Sequence, residues 1–151
     1  MNRERFASKM YALAQDCADK FKINPAIIAS QACLETGYGK SILSKKANNL
    51  FGLYAGPYWK GLKYPMKNRQ FLHAYGWSVK ISHYRLYSTW LDCITDYSEI
   101  LCCELSLGVD NCEDPIAYLD DLCPKAEEGI SVTDPRYREK ILSIAKIWKW
   151  I

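Results

Sequence analysis

Phe6, Met10, Leu13, Cys17 and Phe21 recur at three- and four-residue intervals, with charged residues between them. That spacing puts them on one face of an amphipathic helix. Asn24-Pro25 follows. An Asn side chain accepts from the free N–H groups of a helix start, and a proline at the first helical position sacrifices no bond. Ile27, Ile28, Ala32 and Leu34 then predict a second, largely buried helix. Gly37 can adopt the left-handed conformation that ends it, which leaves Glu35 in the last turn. The same start signal recurs at Asp114-Pro115 and Asp134-Pro135. Between these points Ser88 is placed to cap a helix through Trp90, Ile94, Tyr97 and Leu101 that fades before Gly108. A last helix carries Tyr137, Ile141, Ile144 and Trp148 on one face. From Tyr54 to Tyr87 the pattern changes to turns and aromatics. There, Arg69 to His73 and Ser78 to Arg85 predict two short strands joined at Tyr75-Gly76. The expected fold class is α+β: a mainly helical chain with a small β-lobe at about 54–87 and a cleft between the lobes.

The chain has 151 residues, enough for one domain with its own core, and no linker or repeat divides 1–151. Hydrophobic content of 49% and charged content of 25% fit a globular protein. No apolar run approaches the roughly 20 residues of a membrane span, so no membrane insertion is expected. Met1-Asn2-Arg3-Glu4-Arg5-Phe6 lacks the apolar stretch of a signal peptide, so synthesis in the cytoplasm is expected. Seven cysteines, an odd number, suggest free thiols in a reducing compartment. Two readings of them stand: small buried hydrophobes, or a late disulfide among Cys102, Cys103, Cys112 and Cys123. Their spacing matches no zinc site, and no cofactor is expected.

The net charge of +3 hides a polarity, because residues 36–91 carry nine Lys/Arg and no acid. The rest of the chain holds all seventeen Asp/Glu and nets −6. A basic segment favours an anionic polymer as partner. Residues 54–90 also hold nine of the sixteen Tyr and Trp residues, among them Tyr54, Trp59, Trp77 and Tyr84. Aromatic faces pack on the C–H faces of sugar rings, while Tyr O–H and Trp N–H reach hydroxyls. The same aromatics could form the core of a small lobe, or bind single-stranded nucleic acid with the basic residues.

Glu35 is the candidate acid. The C-terminal end of a helix is partly negative, so a carboxylate there is disfavoured and its pKa should rise. Partial burial acts in the same direction. A carboxyl that stays protonated near neutral pH can protonate a leaving oxygen. The competing reading is a solvated surface Glu.

Ile28-Ala29-Ser30-Gln31-Ala32-Cys33-Leu34-Glu35-Thr36-Gly37-Tyr38-Gly39-Lys40-Ser41 resembles the signature of the bacterial and phage glucosaminidases of glycoside hydrolase family 73. Ala47-Asn48-Asn49-Leu50-Phe51-Gly52-Leu53 is similar to its next motif. Tyr84-Arg85-Leu86-Tyr87, with Trp90 and Asp96-Tyr97, resembles its aromatic-Arg-x-Tyr segment, and Thr133-Asp134-Pro135-Arg136-Tyr137 its late Thr-Asp-Pro-x-Tyr element. Four segments in order over nearly the whole chain are far more specific than any one.

The resemblance implies a lysozyme-like α+β fold that cuts peptidoglycan glycan strands at the β-1,4 bond after N-acetylglucosamine. Glu35 falls on the catalytic acid. Tyr38, Asn49, Phe51, Tyr54, Trp59, Trp77, Tyr84 and Ser131 are the expected substrate-binding residues. Asn49, Phe51 and Gly52 belong to the motif flanking the cleft, although Asn-Asn-Leu-Phe-Gly could chiefly shape a turn. Tyr137 is expected to pack the last helix. Two departures stand out. Many members carry a second carboxylate on the β-lobe, and this chain has no acid from 36 to 91. Many carry a Tyr two residues before the Thr-Asp-Pro element, where this chain has Ser131.

Without a β-lobe acid, three routes are open. The substrate's 2-acetamido oxygen could attack the anomeric carbon. Glu35 could work alone in a lytic transglycosylase. An acid outside the segment, Asp92 or Asp96, could reach the cleft. The first is the expected route, with a non-catalytic wall-binding module as the alternative class. The expected partner is peptidoglycan, met by a monomer without nucleic acid. The expected context is phage-endolysin-like release or a phage particle.

Overall fold

The computed structural model describes residues 1–107, 110–129 and 134–151, with the side chains of 125–129 excepted. Three helices open the chain: α1 (Arg3–Phe21), α2 (Pro25–Thr36) and the short α3 (Ile42–Lys46). A hairpin of β1 (Lys63–Leu72) and β2 (Gly76–Arg85) follows. Then come α4 (Trp90–Glu99), a π-helical turn (Ile100–Glu104), α5 (Pro115–Gly129) and α6 (Tyr137–Ile147). The α+β expectation holds, with a small two-stranded antiparallel sheet beside the helices.

The start signals act as their chemistry requires. Asn24 Oδ1 accepts from Ile27 N at 3.2 Å and Pro25 opens α2. Asp114 Oδ1 accepts from Ile116 N at 2.9 Å and Ala117 N at 3.1 Å at the start of α5. The third signal is offset. Asp134 Oδ1 takes Arg136 N at 2.9 Å in a turn and its other oxygen pairs with Lys140, so α6 begins only at Tyr137. The cap of α4 is Thr89 rather than Ser88. Thr89 and Asp92 form a reciprocal capping box, each side chain accepting from the other's backbone N–H. The short α3 was not foreseen.

α2 is the centre of the fold. Ala26 to Cys33 are all buried, so this stretch leaves no face for water before the helix end that carries Glu35. Phe6, Met10 and Phe21 of α1, Ile94 and Tyr97 of α4, Leu119 and Leu122 of α5, and Ile141 and Ile144 of α6 complete the core around it.

The hairpin is longer than expected, with β1 starting at Lys63 and the register running from Lys63↔Arg85 to Leu72↔Gly76. Tyr75 N bonds Leu72 O at 3.0 Å, and Gly76 follows at φ 73°. A turn followed by a left-handed residue is the usual build of a three-residue hairpin loop. The base of the lobe is stitched to the 47–55 segment by Arg85 N to Leu53 O, Ala55 N to His83 O and Tyr87 N to Ala47 O, each 2.9 Å.

Cys17, Cys33 and Cys93 are buried, and none of the seven cysteines forms a disulfide. Burial pushes Cys33 and Cys93 up to about 12, so these two stay protonated and act as small hydrophobes. Cys102, Cys103, Cys112 and Cys123 form no disulfide with one another. Among the described residues, no helix is long and apolar enough to cross a membrane.

Candidate active site

The end of α2 is built to present Glu35. Gly37 sits at φ 56°, and the turn closes through Tyr38 N to Cys33 O at 2.9 Å. Thr36 Oγ1 donates to Ala32 O at 2.6 Å and accepts from Gly39 N at 2.8 Å, which folds the chain back on itself. Gly39 is obligatory there: φ is 77°, and a Cβ would lie 2.7 Å from the Phe6 ring.

Glu35 opens onto a cleft of about 540 Å³. The cleft is lined on one side by Asn49, Phe51 and Tyr54, on another by Tyr84 and Arg85, and by Ile100 and Glu104 from the π-helical turn. Although its side chain opens to the cleft, the protein packed around the carboxyl raises the Glu35 pKa above its ordinary 4.5. A hydrogen bond from Tyr137 opposes that rise. Burial dominates, as an acid donor requires.

Behind Glu35 lies a polar cluster that the sequence did not reveal. Gln31 Nε2 donates to Tyr137 Oη at 2.9 Å and to Tyr97 Oη at 3.1 Å. With Tyr137 oxygen already accepting from Gln31, its O–H proton is free to point at Glu35. Gln31 lies four residues before Glu35 on α2, hence on the same face. That spacing was the only available signal. Tyr137 therefore does more than pack α6. Replacing Tyr137 by Phe removes the one bond that lowers the Glu35 pKa, so the alkaline limb of the kcat/KM profile should move to higher pH. A limb that stays in place would detach Tyr137 from the acid.

The expected substrate-binding residues divide. Asn49, Phe51, Tyr54 and Tyr84 line the cleft with Glu35. Asn49 has no donor left for a sugar: its Nδ2 bonds Leu53 O at 3.0 Å and Arg85 O at 2.9 Å, and its Oδ1 accepts from Leu53 N at 3.0 Å. Its role is to hold the cleft floor to β2. Phe51 is 7% exposed and stacks on Tyr97 at 4.0 Å, so it belongs mainly to the core. Tyr54 is 62% exposed and stacks on buried Tyr84 at 4.8 Å, a rigid aromatic face turned outward.

Tyr38, Trp59 and Trp77 are not among the residues lining this cleft. Tyr38 is held between Phe6 and Trp148, and its hydroxyl accepts from Trp148 Nε1 at 3.3 Å. Trp59 packs on Tyr87 and under the Arg85 guanidinium, 4.7 Å from the ring centre. Trp77 packs on Phe71 at the hairpin tip, with Arg69 over its ring. Ser131 and Thr133 lie outside the described residues.

Asp92 and Asp96 do not supply the missing acid. Asp92 is consumed by the capping box of α4. Asp96 Oδ2 takes Arg85 Nη1 at 2.7 Å and Tyr87 Oη at 2.5 Å.

Comparison with known proteins agrees with this layout. The chain is 28% identical over 148 residues to the peptidoglycan hydrolase FlgJ of Pseudomonas aeruginosa, covering 95% of this chain and 36% of that protein. It is 26% identical over 144 residues to the exo-glucosaminidase LytG of Bacillus subtilis, covering 93% and 50%. It thus spans half or less of the length of these relatives. A C-terminally truncated glycoside hydrolase domain from Salmonella typhimurium FlgJ superposes with a TM-score of 0.76 at 20% identity, covering 99% of both chains. The catalytic domain of the autolysin Auto from Listeria monocytogenes gives 0.73 at 20% identity, covering 97% and 84%, so the fold is shared. The glucosaminidase family, described as mannosyl-glycoprotein endo-beta-N-acetylglucosaminidase, matches residues 11–149. With nearly the whole chain matched, this protein belongs to the glucosaminidase family.

Proposed function

We propose that this chain hydrolyses peptidoglycan glycan strands at the β-1,4 bond after N-acetylglucosamine, with Glu35 as general acid. The observation that carries the reading is a carboxyl, raised in pKa by the protein packed around it, that opens on a cleft beside the exposed face of Tyr54. The relatives named as peptidoglycan hydrolase and glucosaminidase support the substrate class. The nine Lys/Arg of 36–91 suit the carboxylates of peptidoglycan stem peptides.

In the proposed route the acetamido oxygen of N-acetylglucosamine attacks C1 from within the substrate. The C1–O4 bond breaks, and the leaving oxygen takes the Glu35 proton. Water then attacks C1, gives its proton to the Glu35 carboxylate, and the acetamido group is restored. Support for this assisted route is the acid-free β-lobe together with the engagement of Asp92 and Asp96 elsewhere. The place of action is the cell wall. We propose phage-endolysin-like release as the route by which the chain reaches it.

Mass spectrometry of muropeptides from digested walls tests bond and route together. The expected new chain end is reducing N-acetylglucosamine. A reducing N-acetylmuramic acid end would move the bond, and a 1,6-anhydro end would replace hydrolysis by transglycosylation.

A further inference from the structure

The cleft holds a second carboxylate that comes from the helical side. The chain leaves α4 through a π-helical turn, Ile100–Glu104, closed by Leu105 N to Ile100 O at 3.1 Å. Such widened turns occur mostly as single interruptions of α-helices and are frequent at functional sites. This one brings Ile100 and Glu104 to the wall of the cleft that Glu35 enters. Glu35 and Glu104 are the acids lining that cleft among the described residues. Glu104 is exposed and, among the described residues, makes no hydrogen bond or ion pair. That sets it apart from Asp92 and Asp96, each of which has its Oδ2 engaged in two hydrogen bonds. Burial, rather than a neighbouring acid, is what raises Glu35.

Assisted hydrolysis creates a need that a carboxylate meets. As the acetamido oxygen bonds to C1, its nitrogen shares the positive charge and its N–H becomes a stronger donor. An acceptor carrying negative charge, fixed in advance, favours that state over the neutral ground state. We infer that Glu104 is a second catalytic residue, accepting the acetamido N–H and stabilising the cyclic oxazolinium intermediate. Glu104 gains and loses no proton in this role. The proton traffic stays between Glu35, the leaving oxygen and water. The π-helical turn thus supplies from the helical lobe the charge that the β-lobe lacks. The inference rests on the cleft reading above.

The test uses Glu104→Gln and Glu104→Asp in the full chain, with Glu99→Gln as an exposed neighbour and Glu35→Gln as reference. On purified peptidoglycan, Glu104→Gln should lose about 10²–10³-fold in kcat, with a much smaller change in KM. Glu104→Asp, which keeps the charge, should recover part of the loss, and Glu99→Gln none of it should show. Circular dichroism and Tm establish that each variant is folded. If Glu35→Gln is inactive while Glu104→Gln turns over within threefold of wild type, Glu104 has no catalytic role and the cleft reading survives. If both variants retain activity, the cleft itself is the wrong site. Equal losses in Glu104→Gln and Glu104→Asp would overturn the charge argument.

Discussion

Glu35→Gln should lower the rate of cell-wall lysis by about 10²–10⁴-fold, the range that general acid catalysis contributes. Gln has the shape of Glu and still offers an oxygen to Tyr137, so the loss isolates the proton. The leaving sugar oxygen is a poor leaving group unless protonated as the bond breaks, and the raised Glu35 pKa favours the protonated carboxyl. The same variant has a stability signature with a definite sign. Below the ordinary value of 4.5 both folded and unfolded chains hold the proton, and the group contributes nothing. As pH rises through that value, the unfolded chain releases its proton first, because the folded pKa is raised. The unfolded state gains, and stability falls until the folded carboxyl also ionises. Gln does not titrate, so at pH 7 the Tm of Glu35→Gln should exceed that of wild type, and the gap should close toward pH 4. Turbidity of purified walls and calorimetry at the two pH values read both effects. Unimpaired lysis would remove Glu35 from the chemistry. A lower Tm at pH 7 would remove burial as the cause of the raised pKa.

What was legible in the chain was local. Asn24-Pro25 and Gly37 bracket α2 through bonds made within four residues, so Glu35 could be placed in the last turn from sequence. The hairpin turn at Tyr75-Gly76 is local in the same sense. The support of Glu35 is not: Gln31 meets Tyr97 and Tyr137 across 66 and 106 residues. Only the packing of α2, α4 and α6 brings those groups together. The aromatic-rich segment shows the limit of composition. Tyr54 and Tyr84 reach the cleft, whereas Trp59 supports the lobe from behind and Trp77 sits near its tip. Strand alternation separates the faces of a ribbon, yet it does not say which face meets a cleft. Glu104 was overlooked because the helical periodicity that placed Trp90, Ile94 and Tyr97 breaks at the π-helical turn.

Asp96→Ala should be among the most damaging changes outside the cleft chemistry, because Asp96 joins the two lobes. Its Oδ2 accepts from Arg85 at the end of β2 and from Tyr87 just beyond. Arg85 in turn donates its Nε to Tyr54 O at 3.0 Å, so the wall that carries the exposed Tyr54 face hangs on this carboxylate. Burial, then Cys93 and Asp96, hold the Tyr87 hydroxyl protonated, which keeps it a donor. Removing the carboxylate leaves a guanidinium without its partner and a Tyr, 5% exposed, without its acceptor. Fully buried pairs cost about 3–5 kcal/mol to break from one side, and exposed pairs about 0–1. Side-chain exposures of 21% and 22% place this pair between those limits. A loss of about 2 kcal/mol corresponds to a Tm fall of about 4–8 °C at this chain length. Asp96→Asn keeps one acceptor oxygen and should fall less. Under the proposed function, in which the Tyr54 face binds sugar and Glu35 carries the proton, KM should rise more than kcat falls in both variants. Combining Asp96→Ala with Arg85→Ala should cost less than the two changes added, since the second removes the charge that the first strands. A Tm within about 1 °C of wild type would show that the lobe is held by its backbone bonds, Arg85 N to Leu53 O and Tyr87 N to Ala47 O, without help from the side-chain cluster.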